Sequence, residues 1–156
     1  MIILPNQLDA DEVYPNIYVG SKPPKGNIVF DSGFSYLVLC AEEYQLPAQD
    51  YNNVTVVHAP FEDIDAVLST KTMNLVFLAA RTVAEIQKSG AKILVTCAAG
   101  INRSALVAAI AIRMLGNSGE FAVECLRSKR NINCLSNVSF LRIVLSESTS
   151  VKYYLK

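Results

Sequence analysis

KILVTCAAGINRSALVAAIAIRML, residues 92–115, passes from a strand through a small-residue loop into a helix. The run 92–97 is short, continuous and apolar, as expected of a strand buried on both faces. The run 105–115 is apolar on nearly every side of a helix, which predicts a central one. Between them lies Cys97-Ala98-Ala99-Gly100-Ile101-Asn102-Arg103-Ser104. A small-residue loop feeding a helix aims successive N–H groups at one point, where the helix N-terminus adds positive partial charge. Residues 98–103 are therefore a candidate phosphate-binding loop. Gly100 lets the backbone turn where a side chain would clash or φ must be positive. Arg103 can present a planar fork to two oxygens of a tetrahedral oxyanion. Cys97 stands at the focus of the loop, in surroundings that favour a thiolate. A nucleophile and an oxyanion clamp facing one point suit in-line attack on phosphorus. Cys-x5-Arg alone is unremarkable, but adding Gly at the fourth position and Ser after the Arg lowers chance occurrence to about one in a thousand.

Outward from this stretch, strands alternate with helices. Strands are expected at 16–20, 27–30, 36–40 and 53–59, the last two buried on both faces like 92–97. A helix starts at Ser69 or Thr70 and stops at Gly90, with Met73, Val76, Phe77, Ala80, Val83, Ala84 and Ile86 at a period near 3.6. Further helices are expected from Ser118 or Gly119 to Arg127 and from Asn137 to Glu147. This order predicts one α/β domain over residues 1–156, with a mainly parallel central sheet flanked by helices. The tail VKYYLK shows no clear pattern.

The chain has 156 residues, 51% apolar and 18% charged, enough for a core and incompatible with a disordered chain. No window has the 18 or more apolar residues of a membrane span. MIILPNQLDADEVYP lacks a basic n-region and is broken by Pro5, Asn6 and Asp9, so no signal peptide is expected, and a cytoplasmic location is. The net charge of zero conceals an asymmetry: residues 1–78 carry −7 and residues 79–156 carry +7. An anionic substrate is expected near the second half. No lysine run or aromatic-interleaved basic stripe argues for nucleic acid. The four cysteines, Cys40, Cys97, Cys125 and Cys134, form no CxxC pair. The single histidine, His58, excludes HExxH and His-rich zinc sites. In its Val-rich strand His58 is expected to be structural.

The loop at 97–104 resembles the Cys-x-x-Gly-x-x-Arg-Ser loop of the cysteine-based protein phosphatases, in their small dual-specificity branch. VYPNIYVGS (13–21) is similar to that branch's opening strand. LRSKRNIN (126–133), with Asn137 and Phe140, is similar to its stretch before the last helix. Two positions depart: Thr96 replaces the usual His before the nucleophile, and Asn131 replaces the usual Pro after Arg130. The resemblance implies a cysteine phosphatase-like fold, Cys97 as nucleophile, Arg103 as phosphate clamp, and no metal or cofactor. It also implies a general acid in the loop after strand 53–59, because the leaving oxygen needs a proton. Asp63 matches that position best, with Glu62 and Asp65 as alternatives. Ser104 is expected to hydrogen-bond the Cys97 thiolate or to cap the helix, and Thr96 to bond near Cys97. YLVLCAEEYQ resembles the strand end of lipid-phosphatase relatives, which implies that Cys40 is a redox partner of Cys97, with a plain buried cysteine as the alternative. Cys125 and Cys134 are expected to pack.

The expected function is metal-independent hydrolysis of phosphotyrosine, and of phosphoserine or phosphothreonine, in a protein or peptide partner. An RNA 5′-phosphatase, a phosphoinositide phosphatase and a non-catalytic phosphate-binding module are the alternatives. The neutral Ala98, Ala99, Ile101 and Asn102 count against a polyphosphorylated head group.

Overall fold

Side chains alternate along a strand, so an unbroken apolar strand needs cover on both faces of its sheet. The computed structural model, which describes residues 8–147, supplies that cover. Its strands are β1 (Ala10–Tyr14), β2 (Ile17–Gly20), β3 (Tyr36–Ala41), β4 (Thr55–Phe61) and β5 (Ile93–Thr96), in the order β1-β2-β5-β3-β4. β2, β5, β3 and β4 run parallel, and β1 is antiparallel to β2. The helices are α1 (Ile28–Asp31), α2 (Thr70–Lys88), α3 (Arg103–Met114), α4 (Gly119–Lys129) and α5 (Val138–Leu145). The expected α/β domain with a mainly parallel sheet is the observed one. Residues 1–7 and the VKYYLK tail lie outside the described residues.

Val38, Cys40, Ile93 and Val95 face the larger core, with α2 and α3. Leu37, Leu39 and Leu94 face a smaller cluster built from Val29, Phe34, Tyr51 and Val54. Both faces of β3 and β5 are thus buried, as their continuous apolar runs require. α3 lies at the centre, touching α2, α4, α5, β2, β3 and β5. Every residue from Arg103 to Ile112 is buried. Ala105, Ala108, Ala109 and Ala111 let neighbouring backbones approach this helix closely.

Three expectations are corrected. Residues 27–30 are not a strand but the helical turn α1, which closes at Gly33 and buries Val29 in the smaller cluster, with Ile28 packed partly buried against it. β4 is an edge strand and not doubly buried: Thr55, His58 and Pro60 are exposed while Ala59 and Phe61 are buried. An exposed edge also accommodates Pro60, which has no N–H to donate. The chain also has a strand absent from the sequence pattern, β1, whose acidic ADEVY buries only Val13 fully. His58 lies on the exposed edge, its Nδ1 3.0 Å from Gln45 Oε1. Gln45 Nε2 in turn donates to the carbonyls of Leu39 and Ala41 at 2.8 and 2.7 Å, tying down the end of β3.

Because Ile110 is wholly buried in the central helix, Ile110→Ala should cost about 2–5 kcal/mol in urea unfolding. Leu78→Ala, on the exposed side of α2, should change stability by no more than about 0.5 kcal/mol.

Candidate active site

Parallel strands bring their C-terminal ends to one edge of the sheet. The loops after β3, β4 and β5 therefore converge, with β5 inserted where the strand order reverses, which is where open α/β sheets bind ligands. The loop from Cys97 to Asn102 turns at Gly100, whose φ is +70°. A Cβ at Gly100 would lie 2.6 Å from Arg130 Nη2 and 2.7 Å from the carbonyl of Gly20, so only glycine fits. Cys97 N–H donates to Gly20 O and Lys22 N–H to Ala98 O, both at 3.3 Å, anchoring the loop to the end of β2. The N–H groups of residues 98–102 donate to no backbone carbonyl among the described residues. They remain available to an anion.

Arg130 braces the outer side of the loop. Its Nε donates to Gly100 O at 3.2 Å and its Nη2 to Ala99 O at 3.1 Å. The same guanidinium binds both Asp9 oxygens at 2.8 and 2.9 Å and Asp11 Oδ2 at 2.9 Å. Burial pulls the Arg130 pKa down, but the Asp9 and Asp11 bonds outweigh it and raise it overall. Arg130 hydrogen bonding in turn lowers the Asp9 pKa, against the opposing effect of burial.

Cys97 is 4% exposed, and its Sγ is 3.2 Å from Ser104 Oγ. Ser104 lies inside α3 and not at its cap, which is Asn102. Of its two expected roles, the bond to the cysteine is the one the geometry shows. Thr96 does not bond near Cys97: its hydroxyl donates to Val38 O across the sheet at 2.9 Å.

Arg103 is 6% exposed at the start of α3. Its Nη1 and Nη2 donate to Glu43 Oε1 and Oε2 at 2.5 and 2.9 Å, and Nη1 also donates to Phe61 O at 3.2 Å. A guanidinium has five N–H donors. Three are used, and Nε has no partner. The remaining N–H groups, on Nε and Nη2, lie on one edge, which makes a fork for two oxygens of an oxyanion. The hydrogen bonds that Arg103 donates to Glu43 raise its pKa against burial, with the charges of Glu43, Cys97 and Asp63 adding to the rise. Arg103 likewise holds the Glu43 carboxyl down to about 2.

Among the acidic residues after β4, Asp63 faces the loop. Asn102 Nδ2 donates to its Oδ2 at 3.1 Å and Asn137 Nδ2 to its Oδ1 at 2.8 Å. Asn102 Oδ1 accepts from Asn137 N–H at 2.9 Å, closing the network. Asp65 is occupied at α5, where it accepts from Ser139 N–H and Oγ at 3.2 and 2.6 Å. Glu62 makes no hydrogen bond or ion pair among the described residues. Asp63, Glu62, Glu43, Glu42 and Arg103 line an open cleft of about 380 Å³.

Leu39 pairs with Thr96 across β3 and β5, so Cys40 and Cys97 stand at the next step of adjacent strands, in the same core. Burial pushes the Cys40 thiol well up, with Cys97 adding and Arg103 opposing. Burial also raises Cys125, and pushes Cys134 up to about 11. Both belong to the core, as expected of packing residues.

Sequence inspection missed Glu43, Asn137 as a partner of Asp63, and the bracing of the loop by Arg130. Asn137 and Arg130 fall in or beside the stretch 126–133, but nothing in that pattern shows what they touch. The charge asymmetry held a partial signal: Glu43, Asp9 and Asp11 come from the acidic half and meet Arg103 and Arg130 from the basic half.

A family model described as the dual specificity phosphatase catalytic domain matches residues 17–149. No curated protein sequence matches the chain. Its structure is similar to that of PTPMT1 in complex with PI(5)P, at 17% identity, covering 94% of this chain and 99% of that one with a TM-score of 0.73. It is also similar to human DUSP28, at 20% identity, 91% and 94% coverage and a TM-score of 0.69. The active form of Tk-PTP matches at 20% identity, 94% and 100% coverage and a TM-score of 0.68.

The ion pair with Arg103 should make stability pH-dependent. Glu43 has a folded pKa of about 2 against an ordinary 4.5. Its contribution is complete above pH 4.5 and is lost as pH falls toward 2, since the unfolded chain takes up the proton first. Thermal melts of Glu43→Gln should therefore show lower stability than wild type near pH 7, with the difference shrinking between pH 4.5 and 2. Gly100→Ala should lower stability and weaken inorganic phosphate binding, as read by calorimetry.

Proposed function

The chain belongs to the dual specificity phosphatase catalytic-domain family and is a cysteine-based phosphatase; from that premise we propose that it hydrolyses phosphomonoesters on proteins, phosphotyrosine and also phosphoserine or phosphothreonine. The observation that carries this is the Arg103 fork: Glu43 grips one edge of the guanidinium and leaves the other unpartnered beside Cys97. In the proposed reaction the phosphate oxygens lie against the free edge of Arg103 and the N–H groups of residues 98–102. Cys97 Sγ attacks phosphorus in line. The P–O bond to the substrate breaks as Asp63 gives its proton to the departing oxygen. Water then attacks the cysteinyl phosphate, Asp63 takes a proton from it, and Sγ leaves as thiolate. Ser104 Oγ, 3.2 Å from Sγ, stabilises that leaving thiolate. Asn102 and Asn137 hold the Asp63 carboxyl toward the cleft and act as positioning residues. No metal takes part in these steps.

Cys40 is proposed as the redox partner of Cys97. A peroxide oxygen transferred to the Cys97 thiolate gives a sulfenic acid. The Cys40 thiol then displaces water from it to form a disulfide. Mass mapping after mild peroxide should show the Cys40–Cys97 link; Cys97 overoxidised with no link would refute it.

Hydrolysis of para-nitrophenyl phosphate between pH 5 and 8, without metal, tests the mechanism. Cys97→Ser and Arg103→Ala should abolish it. Asp63→Ala should flatten the basic limb of the pH profile. It should slow a phosphotyrosine peptide, with its poorer leaving group, by about 10²–10⁴. Asn137→Ala should lower kcat with the same distortion of the pH profile in milder form, a change that a purely structural defect would not produce. An inert wild type that still binds phosphopeptide would make the protein a binding module.

A further inference from the structure

The walls of the candidate cleft carry an unusual charge balance. Among the described residues, Arg103 is the single cation lining it, against Glu42, Glu43, Glu62 and Asp63. Glu43 is paired with Arg103, and Asp63, the proton donor of the proposed reaction, is held by two neutral amides. Glu42 and Glu62 have no hydrogen bond or ion pair among the described residues. At the floor, Arg103 is 6% exposed with its Nε unpartnered, so the same cleft calls for an oxyanion. A phosphate entering it therefore meets carboxylates that only a further cation offsets. No described residue supplies one there: Lys22 stands over the Tyr44 ring with Nζ 4.3 Å from its centroid, and Lys71 lines a neighbouring cavity. Nor are the carboxylates grouped to hold a metal ion among the described residues.

That neighbouring cavity, of about 600 Å³, shares Glu42 and Glu62 with the cleft. Phe61, Ile64, Val67, Leu68 and Leu75 contribute its apolar lining. Val67 is 96% and Ile64 45% exposed, leaving apolar surface uncovered on this rim. Apolar surface continuous with a charged cleft suits a ligand that offers both chemistries in sequence.

Resting on the phosphatase reading above, we propose that the protein selects phosphopeptides with a basic residue next to the phosphorylated one and a large apolar residue a few positions beyond. The phosphate sits on Arg103, the flanking Arg or Lys pairs with Glu42 and Glu62, and the apolar side chain enters the Val67 cavity. The same carboxylates repel polyanions such as phosphorylated inositols and RNA 5′ ends.

The test is kcat/KM on phosphotyrosine peptides carrying Arg or Glu on either side of the phosphotyrosine, each with Leu or Ser two to four residues further on. Inositol phosphates are assayed in parallel. Arg peptides should exceed Glu peptides by about tenfold or more at low salt, and the ratio should shrink as salt screens the rim. Glu42→Gln/Glu62→Gln should collapse that ratio, and Val67→Asp should erase the advantage of Leu over Ser. Equal rates, a preference for Glu, an Arg preference that survives the double variant, or faster turnover of an inositol phosphate would each overturn the proposal. If para-nitrophenyl phosphate is hydrolysed while the peptides are not distinguished, this proposal alone falls. If it is not hydrolysed, the phosphatase reading falls and takes the proposal with it.

Discussion

A guanidinium buried at the start of a buried helix has to be paired, because an unpaired interior charge is costly. Arg103 meets that requirement only if Glu43, at the end of β3, and the Phe61 carbonyl, at the end of β4, reach it together. The site therefore depends on the order of three parallel strands. The pairing has a directional consequence too. With Glu43 on one edge of the fork, the other edge is turned to the ligand without reorganisation, which is how an oxyanion site is preorganised.

The second arginine does similar work from outside. Arg130 joins β1, through Asp9 and Asp11, to the carbonyls of Ala99 and Gly100. Loop carbonyls held by Arg130 cannot turn toward the anion, which keeps the N–H groups available to it. The cost is borne by Gly100, where the same guanidinium leaves no room for a Cβ. Two arginines thus flank the loop, one with a free guanidinium edge at the start of α3 and one fixing the backbone.

The acid side of the site is built with neutral groups. Asn102, a loop residue, and Asn137, the N-cap of α5, share Asp63 between them. Asparagine can orient a carboxyl group without adding a cation that would compete with Arg103 for phosphate. The remaining carboxylates on the cleft wall, Glu42 and Glu62, make no hydrogen bond or ion pair with Asp63 or Arg103.

Much of this was legible in the sequence where the signal is local. The strand-loop-helix at 92–115, Gly90 as a helix stop, Ser69 and Ser118 as helix starts, and the Cys97–Ser104 loop depend on residues adjacent in the chain, and the structure has them as expected. The strand at 53–59 was misjudged because an apolar run shows hydrophobicity but not whether a neighbour lies beyond it. The turn at 27–30 was misjudged because four residues, three of them apolar, are too short for periodicity to tell a strand from a helical turn. Glu43, Asn137 and the pairing of Arg130 with Asp9 and Asp11 were invisible for a different reason: each partner lies 60 or more residues away along the chain. The sequence by itself determined the longer helices and the buried parallel strands, the loop and its reactive residue types. Only the tertiary structure decided which carboxylates meet which arginines, because charge pairing depends on distance in space, which strand order sets and chain position does not.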